Sequence, residues 1–303
     1  MKPDLIEAFQ GSCPTKAFVI GEYAVLTGYP AVVAALPQRF EWMQSSSEKR
    51  SFHPESPAEV WARTHAWNHG LLWKDPVEGQ GGLGGSTAEF LAVDSSLFPK
   101  ADVFERWAHY QSLFKSSSNP PSGADVVAQT LGGVHAIEAF KKEARLLLEP
   151  GHSFPMLSYF HAAHLPGRKT QTHEDLGRLE HTALHSLGRL LAVSVKEGVR
   201  AFSKQDLSNL ALAFEEFSEI LWNAGLESRA AHEDRLYLQD LPGVLGAKGT
   251  GAQLSDGVWV LWDPKESVEL RKAQIQKIQK ERGLLLLQEE FVAGTPLSCE
   301  VAQ

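Results

Sequence analysis

The chain has 303 residues, 43% hydrophobic and 22% charged, with 29 Lys and Arg against 37 Asp and Glu and a formal net charge of −8. That balance belongs to a globular protein able to bury a full core, as one large domain or two of ordinary size. The acidity argues against nucleic acid or an anionic membrane surface as a partner, and the two distant cysteines, Cys13 and Cys299, exclude a disulfide framework and fit a reducing compartment.

The start, "MKPDLIEAFQG", lacks the charged-then-apolar order of a secretory leader, and no stretch holds 18 apolar residues in a row. A cytoplasmic location is expected. The run "AFVIGEYAVLTGYPAVVAAL" (17–36) reads as short apolar strands broken at Gly21 and at the turn Gly28–Tyr29–Pro30. Residues 41–76 carry four of the eight tryptophans among Ser, Pro and charged residues, and read as strands or loops at a sheet edge. Their indoles suit packing, with stacking on an adenine as the alternative. Helices are expected from Ser86 to about Leu97, over 101–114, and from about Ala124 to Leu131, with "KSSSNPPSG" (115–123) as a loop. Strands are expected around 134–140 and 144–149.

The second half opens with a strand at 156–163 and a long helix over 173–199, whose Leu176, Leu179, Ala183, Leu187 and Leu190 recur at helical spacing. Helices near 204–223 and 226–240, a glycine-rich loop (243–251), a strand (257–262), a helix (266–281) and a strand (284–292) complete it. The fold class is α+β, with a domain boundary near 150, giving units 1–150 and 151–303. His181 and His185 stand four apart on one helix face, with His173 two turns earlier. No Glu or Cys accompanies them in a metal-binding pattern, so they read as ordinary helix surface.

The stretch "GQGGLGGSTAEFLA" (79–92) packs five glycines into seven positions before a helix. Ser86 followed by Glu89 has the spacing of a capping box, making Ser86 the expected N-cap. A cap does not require Gly81, Gly82, Gly84 and Gly85. Bare backbone at a helix start favours an anion such as phosphate. No Gly-Lys-Ser/Thr follows, which excludes a Walker A loop. At "HLPGRKTQTHEDL", Arg168, Lys169, Thr170 and Thr172 precede a helix. They read either as an anion site, since arginine grips oxyanions in two-pronged fashion, or as a surface loop capped by Thr172.

"CPTKAFVIGEYAVLTGYPAV", the glycine stretch at 79–92 and "GVLGAKGTGAQLSDGVWVLW", in this order and spacing, resemble the three motifs of the GHMP small-molecule kinases. "GEYAVLTGYPAV" is most similar to the mevalonate-pathway members. "PPSGADVVAQTLGG" (120–133) resembles a fourth stretch that carries the proposed catalytic base. The resemblance spans nearly the whole chain. It implies a fold with an N-terminal half like the second domain of ribosomal protein S5 and a ferredoxin-like C-terminal half. It also implies ATP and Mg2+ as cofactors, mevalonate or phosphomevalonate as acceptor, and a monomer or homodimer.

Carried over, Asp125 matches the base and Lys16 the lysine at the reacting hydroxyl. Gly81, Gly82, Leu83, Gly84, Gly85, Ser86 and Thr87 match the phosphate loop, with Ser86 as a magnesium ligand. Glu22, Tyr23, Arg168, Lys169, Thr172, Lys248, Gly251 and Ala252 fall in the substrate-binding positions. The chain departs from the pattern at Thr15, where the family has glycine, at Gly85, where it has serine, and at Gln253, Leu254 and Ser255, where it has glycines. It also places Leu113 and Phe114, with Gln111 the nearest polar residue, where mevalonate kinases carry a magnesium-binding glutamate. These losses favour a competing expectation, a protein of this fold that binds a ligand or partner without catalysis. The discriminating feature is whether Lys16, Ser86 and Asp125 converge on one cleft.

Overall fold

The computed structural model of the chain describes residues 9–45, 52–115, 117, 120–166, 168 and 181–301. A first antiparallel sheet is built on β1 (Phe9–Ile20) and β2 (Ala31–Ser45), joined through a 3-10 turn at Ala24–Thr27. β3 (Gly70–Lys74) pairs with the far end of β2, and β4 (Val134–Glu138) and β5 (Glu143–Leu148) extend the sheet beyond β2. This sheet is covered on both faces, which is why 31–36 is a continuous apolar run rather than an alternating one. Val32, Ala34 and Leu36 join one buried cluster, while Ala31 and Val33 join another.

Helices α1 (Pro57–Thr64), α2 (Gly85–Leu97), α3 (Val103–Ser112) and α4 (Ala124–Leu131) follow in the first half. The expected edge region 41–76 therefore contains a helix. Ser56 caps it and Pro57 stands at its first turn, a start signal hidden among loop-like residues. The four tryptophans there pack into protein: Trp42 and Trp61 are buried, Trp73 stacks on Phe40 and Trp42, and Trp67 donates to Ser96.

In the second half β6 (Ser153–Phe154) and β7 (Leu157–His161) lead to α5 (His181–Lys204), α6 (Leu207–Asn223) and α7 (Arg229–Gln239). β8 (Val244–Thr250), β9 (Gly257–Trp262), α8 (Val268–Arg282), β10 (Leu285–Gln288), β11 (Phe291–Val292) and β12 (Ser298–Val301) finish the chain. The second sheet has the order β10-β7-β9-β8. Its two faces are read from alternate residues: Val258, Val260 and Trp262 pack on Leu238, Ile275 and Ile278, while Trp259 and Leu261 join the cluster shared with α5, α6 and the first sheet. The start of the expected long helix, with Leu176, Leu179 and His173, lies outside the described residues.

Two expectations change here. The glycine-rich stretch 243–251 is the strand β8, not a loop. Its glycines answer crowding, since a side chain at Gly246 would meet the Ala211 backbone of α6 and one at Gly249 would run into Leu254. The single strand expected over 284–292 is two, because the Gln288 side chain accepts from the Val292 amide at 2.7 Å and turns the chain, so that β11 pairs with β6. The unexpected β12 returns to the first sheet beside Phe9–Ser12 of β1. No helix among the described residues is long and apolar enough to cross a membrane.

His135 on β4 is buried, and burial pulls its imidazole down to about 4. The unfolded chain binds a proton near 6.5 while the folded one does not, so this group removes stability as the pH falls from about 6.5 towards 4. Urea unfolding should show His135→Gln losing about 2 kcal/mol less than the parent between pH 7 and pH 5. Parallel losses in the two proteins would contradict the assignment.

Candidate active site

The site begins at an interruption in the β1–β2 ladder. The register shifts between Pro14 and Thr15, which frees the Pro14 carbonyl to accept from the Gln129 side chain of α4 at 2.9 Å. β12 covers only Phe9–Ser12 of that edge. Beyond it, the Lys16 amide donates to the Leu83 carbonyl at 3.1 Å, pinning the glycine stretch against β1. Leu83, 1% exposed, is the anchor of that stretch.

Around this anchor the backbone takes conformations that only glycine holds cheaply. Gly82 has φ +82° and Gly84 φ +87°. A side chain at Gly82 would come within 2.7 Å of Asp256, and one at Gly84 within 3.0 Å of the Lys16 stem. Gly84 is the residue that starts α2, and the Ala88 amide donates back to its carbonyl at 2.9 Å. Ser86 is therefore not the N-cap, and the expected capping box is not formed. The left-handed glycine supplies the entry instead, which leaves Ser86 exposed in the first turn with its hydroxyl free of a capping role. Thr87 is buried and hydrogen-bonded to Tyr110. His161 donates from Nε2 to the Gly81 carbonyl at 3.0 Å, and burial lowers its proton affinity.

Asp125 comes from the opposite wall. Trp107 donates to the Ser122 carbonyl at 2.8 Å, and Gly123, with φ +73°, lies flat against that indole. This turn begins α4 and sets Asp125 in its first turn, where the helix dipole favours a carboxylate. Lys16 Nζ lies 3.1 Å from Asp125. Both face a cleft lined also by Phe18, Glu22, Tyr23, Tyr110, Gly251, Ala252 and Asp256. The glycine stretch adjoins it through Gly82 at Asp256 and Gly84 at Lys16.

The altered third motif keeps a glycine-like path without the glycines. Gln253 and Leu254 hold φ +52° and +54°, a conformation that costs an ordinary residue about 1–2 kcal/mol. Surrounding bonds hold it: Gln253 donates to the Tyr23 hydroxyl at 3.3 Å, its carbonyl accepts from Ser228 at 3.0 Å, and the Leu254 side chain is buried. Lys248 is wholly buried beneath, 2.6 Å from Glu22 Oε1. Burial pulls the lysine down and pushes the glutamate up, each opposed by the other's charge. Glu22 and Tyr23 thus join the first motif to the third.

Arg168 is committed elsewhere, paired with Asp234 and donating to the Ala230 carbonyl at 3.0 Å, and it does not line the cleft. Lys169, Thr170 and Thr172 lie outside the described residues. Gln111 donates to the Ser122 carbonyl at 3.4 Å. Among the described residues no three His, Cys, Asp or Glu side chains gather closely enough to chelate a metal.

Asp256 is the cleft residue that motif reading missed. Burial pushes its carboxyl up to about 6, opposed by Lys16 and the Ala252 amide and reinforced by Asp125 and Glu22. A perturbed acid in a cleft is a functional signal, but in the sequence Asp256 reads only as a turn residue before a strand.

No protein-family model and no curated protein sequence matches the chain. Solved structures do share its fold. The Lin0012 protein of Listeria innocua aligns with a TM-score of 0.72 at 16% identity, over 97% of this chain and 99% of that one. The Streptococcus pneumoniae phosphomevalonate kinase, in complex with phosphomevalonate and AMPPNP, gives 0.69 at 14% identity, over 93% and 99%. The Lactococcus lactis galactokinase, complexed with galactose, gives 0.65 at 14%, over 100% and 95%. At these identities the likeness is one of fold, and it extends over essentially the whole chain.

Proposed function

We propose that this protein is an ATP- and magnesium-dependent kinase of the GHMP type, transferring the γ-phosphoryl group to a hydroxyl of a small acceptor. The observation that carries the reading is the Lys16–Asp125 pair, 3.1 Å apart in a cleft bordered by a glycine-rich helix start. A protein that only bound a ligand would not require a base and a cation so placed. The whole-chain similarity to kinases of different acceptors supports the same reading.

Phosphoryl transfer depends on positioning and charge stabilisation. Asp125 accepts the proton of the acceptor hydroxyl as that oxygen bonds to the γ-phosphorus and the bond to the ADP oxygen breaks. Lys16 stabilises the charge gathering on the transferred group. The amides of 82–86 and the start of α2 hold phosphate oxygens. Ser86, exposed at that start, offers a hard oxygen ligand, and a bound magnesium ion supplies further neutralisation of the phosphates. Phe18, Tyr23 and Tyr110 wall the acceptor end and exclude water.

The acceptor is a mevalonate-pathway compound in this reading, and mevalonate suits the cleft better than phosphomevalonate. Among the described residues Lys16 is the one cation on the lining, with Lys248 and Arg168 both spent on buried carboxylates. ADP release from ATP–Mg should be followed in parallel with mevalonate, phosphomevalonate, homoserine and galactose. Turnover with mevalonate is expected. Silence with all four, alongside measurable nucleotide binding, would favour the non-catalytic binder instead.

A further inference from the structure

We propose that Asp256 is the protein carboxylate that binds the divalent cation in this cleft, from the third motif rather than from α3. The reading deepens the kinase assignment and rests on it for the nucleotide, but the placement of Asp256 stands on its own geometry.

The residue is held rigidly. Its amide donates to the Thr250 carbonyl at 2.9 Å, and its carbonyl accepts from Ala162 at 2.9 Å and Ala163 at 3.0 Å. Its side chain is wedged between two glycines. A Cβ at Gly82 would reach within 2.7 Å of it, and one at Gly251 would overlap the carboxylate itself. The chain therefore gives up side chains on both the phosphate stretch and the third motif around this one acid. α3, by contrast, lends the cleft Tyr110 and no carboxylate.

Charge then decides what the acid is for. Asp125 and Glu22 face the same cleft, and Lys16 and Lys248 are each paired with one of them. Among the described residues Asp256 has no such ion pair; Lys16 acts on it only from a distance. Glu22, 7% exposed, also lines the cleft with Oε2 buried and without a hydrogen-bond partner. Phosphates seated on Gly82 would bring negative charge directly against the Asp256 carboxylate. A cation between them would turn that repulsion into attraction. Magnesium typically takes one or two carboxylates and completes its shell with phosphate oxygens and water. Asp256 supplies one such carboxylate, so a three-residue chelate is not required.

The test is titration of Mn2+ into the whole protein, with and without ATP, following free Mn2+ by its paramagnetic resonance signal, for the parent and Asp256→Asn. Circular dichroism and thermal melting confirm that the variant folds. The parent is expected to bind Mn2+, more tightly with ATP. Asp256→Asn should weaken binding about 10- to 100-fold, the range by which even outer partners of a bound metal set its affinity. ATP binding in EDTA should be unchanged or tighter in the variant, because a like charge has been removed. Equal Mn2+ affinity in the two proteins, or no Mn2+ uptake by the parent, would overturn the proposal. Mn2+ binding that depends on Asp256 but is indifferent to ATP would uphold the cation site and count against the kinase reading.

Discussion

Asp125→Asn should lower kcat by about 100-fold or more while leaving nucleotide affinity close to that of the parent, the scale expected for loss of a general base. The amide keeps the shape of the side chain in the first turn of α4 and can still face Lys16. It cannot accept the hydroxyl proton. The amides of 82–86, which hold the phosphates in the proposed function, lie on the other wall and should be untouched. Steady-state turnover together with calorimetric binding of a non-hydrolysable ATP analogue separates the two effects. Unchanged kcat would remove Asp125 from the chemistry. A matching loss of nucleotide affinity would make the Lys16–Asp125 pair a structural strut instead.

Arg235→Met should destabilise the protein by about 3–5 kcal/mol, the cost of leaving a buried charge without its partner. Arg235 is 1% exposed at its side chain and pairs with Glu227, which is fully buried, and with Glu219. His232 contributes the remaining contact, 3.0 Å from Glu227. Adding Glu227→Gln to Arg235→Met should restore part of the loss, since the uncompensated charge is then gone. Urea midpoints of the parent and the two variants measure this directly, and a loss below about 1 kcal/mol would contradict the burial argument. The consequence reaches the cleft, because Ser228, next to Glu227, caps α7 and binds both the Gln253 carbonyl and the Ser255 hydroxyl.

The architecture was legible where local signals agree with burial. Ala124–Leu131 falls at its expected limits because glycines bound it on both sides, and β9 because a six-residue apolar run ends in a turn. The convergence of Lys16 and Asp125 was legible only through the resemblance; no spacing rule joins β1 to α4. What stayed hidden was set by tertiary contact. Ser86 and Glu89 satisfy a capping pattern, yet Gly84 begins the helix because its backbone is trapped against Lys16 and Gln129. Lys248 looks like a ligand in a flexible loop, yet β8 buries it under Glu22. Gln253 and Leu254 look like the loss of a glycine motif, yet Tyr23 and Ser228 hold them in a glycine-like conformation. Asp256 had no local signature, and only the close approach of Gly82 and Gly251 reveals its place.

Whether phosphoryl transfer belongs to this cleft is tested most directly by 31P NMR of ATP–Mg with mevalonate, run on the parent and on the Lys16→Met/Asp125→Asn double variant. A growing phosphate-ester resonance with stoichiometric ADP is expected for the parent, and neither for the variant, although the variant still binds nucleotide. Phosphate ester formed at the same rate by both proteins would show that the chemistry does not belong to this cleft.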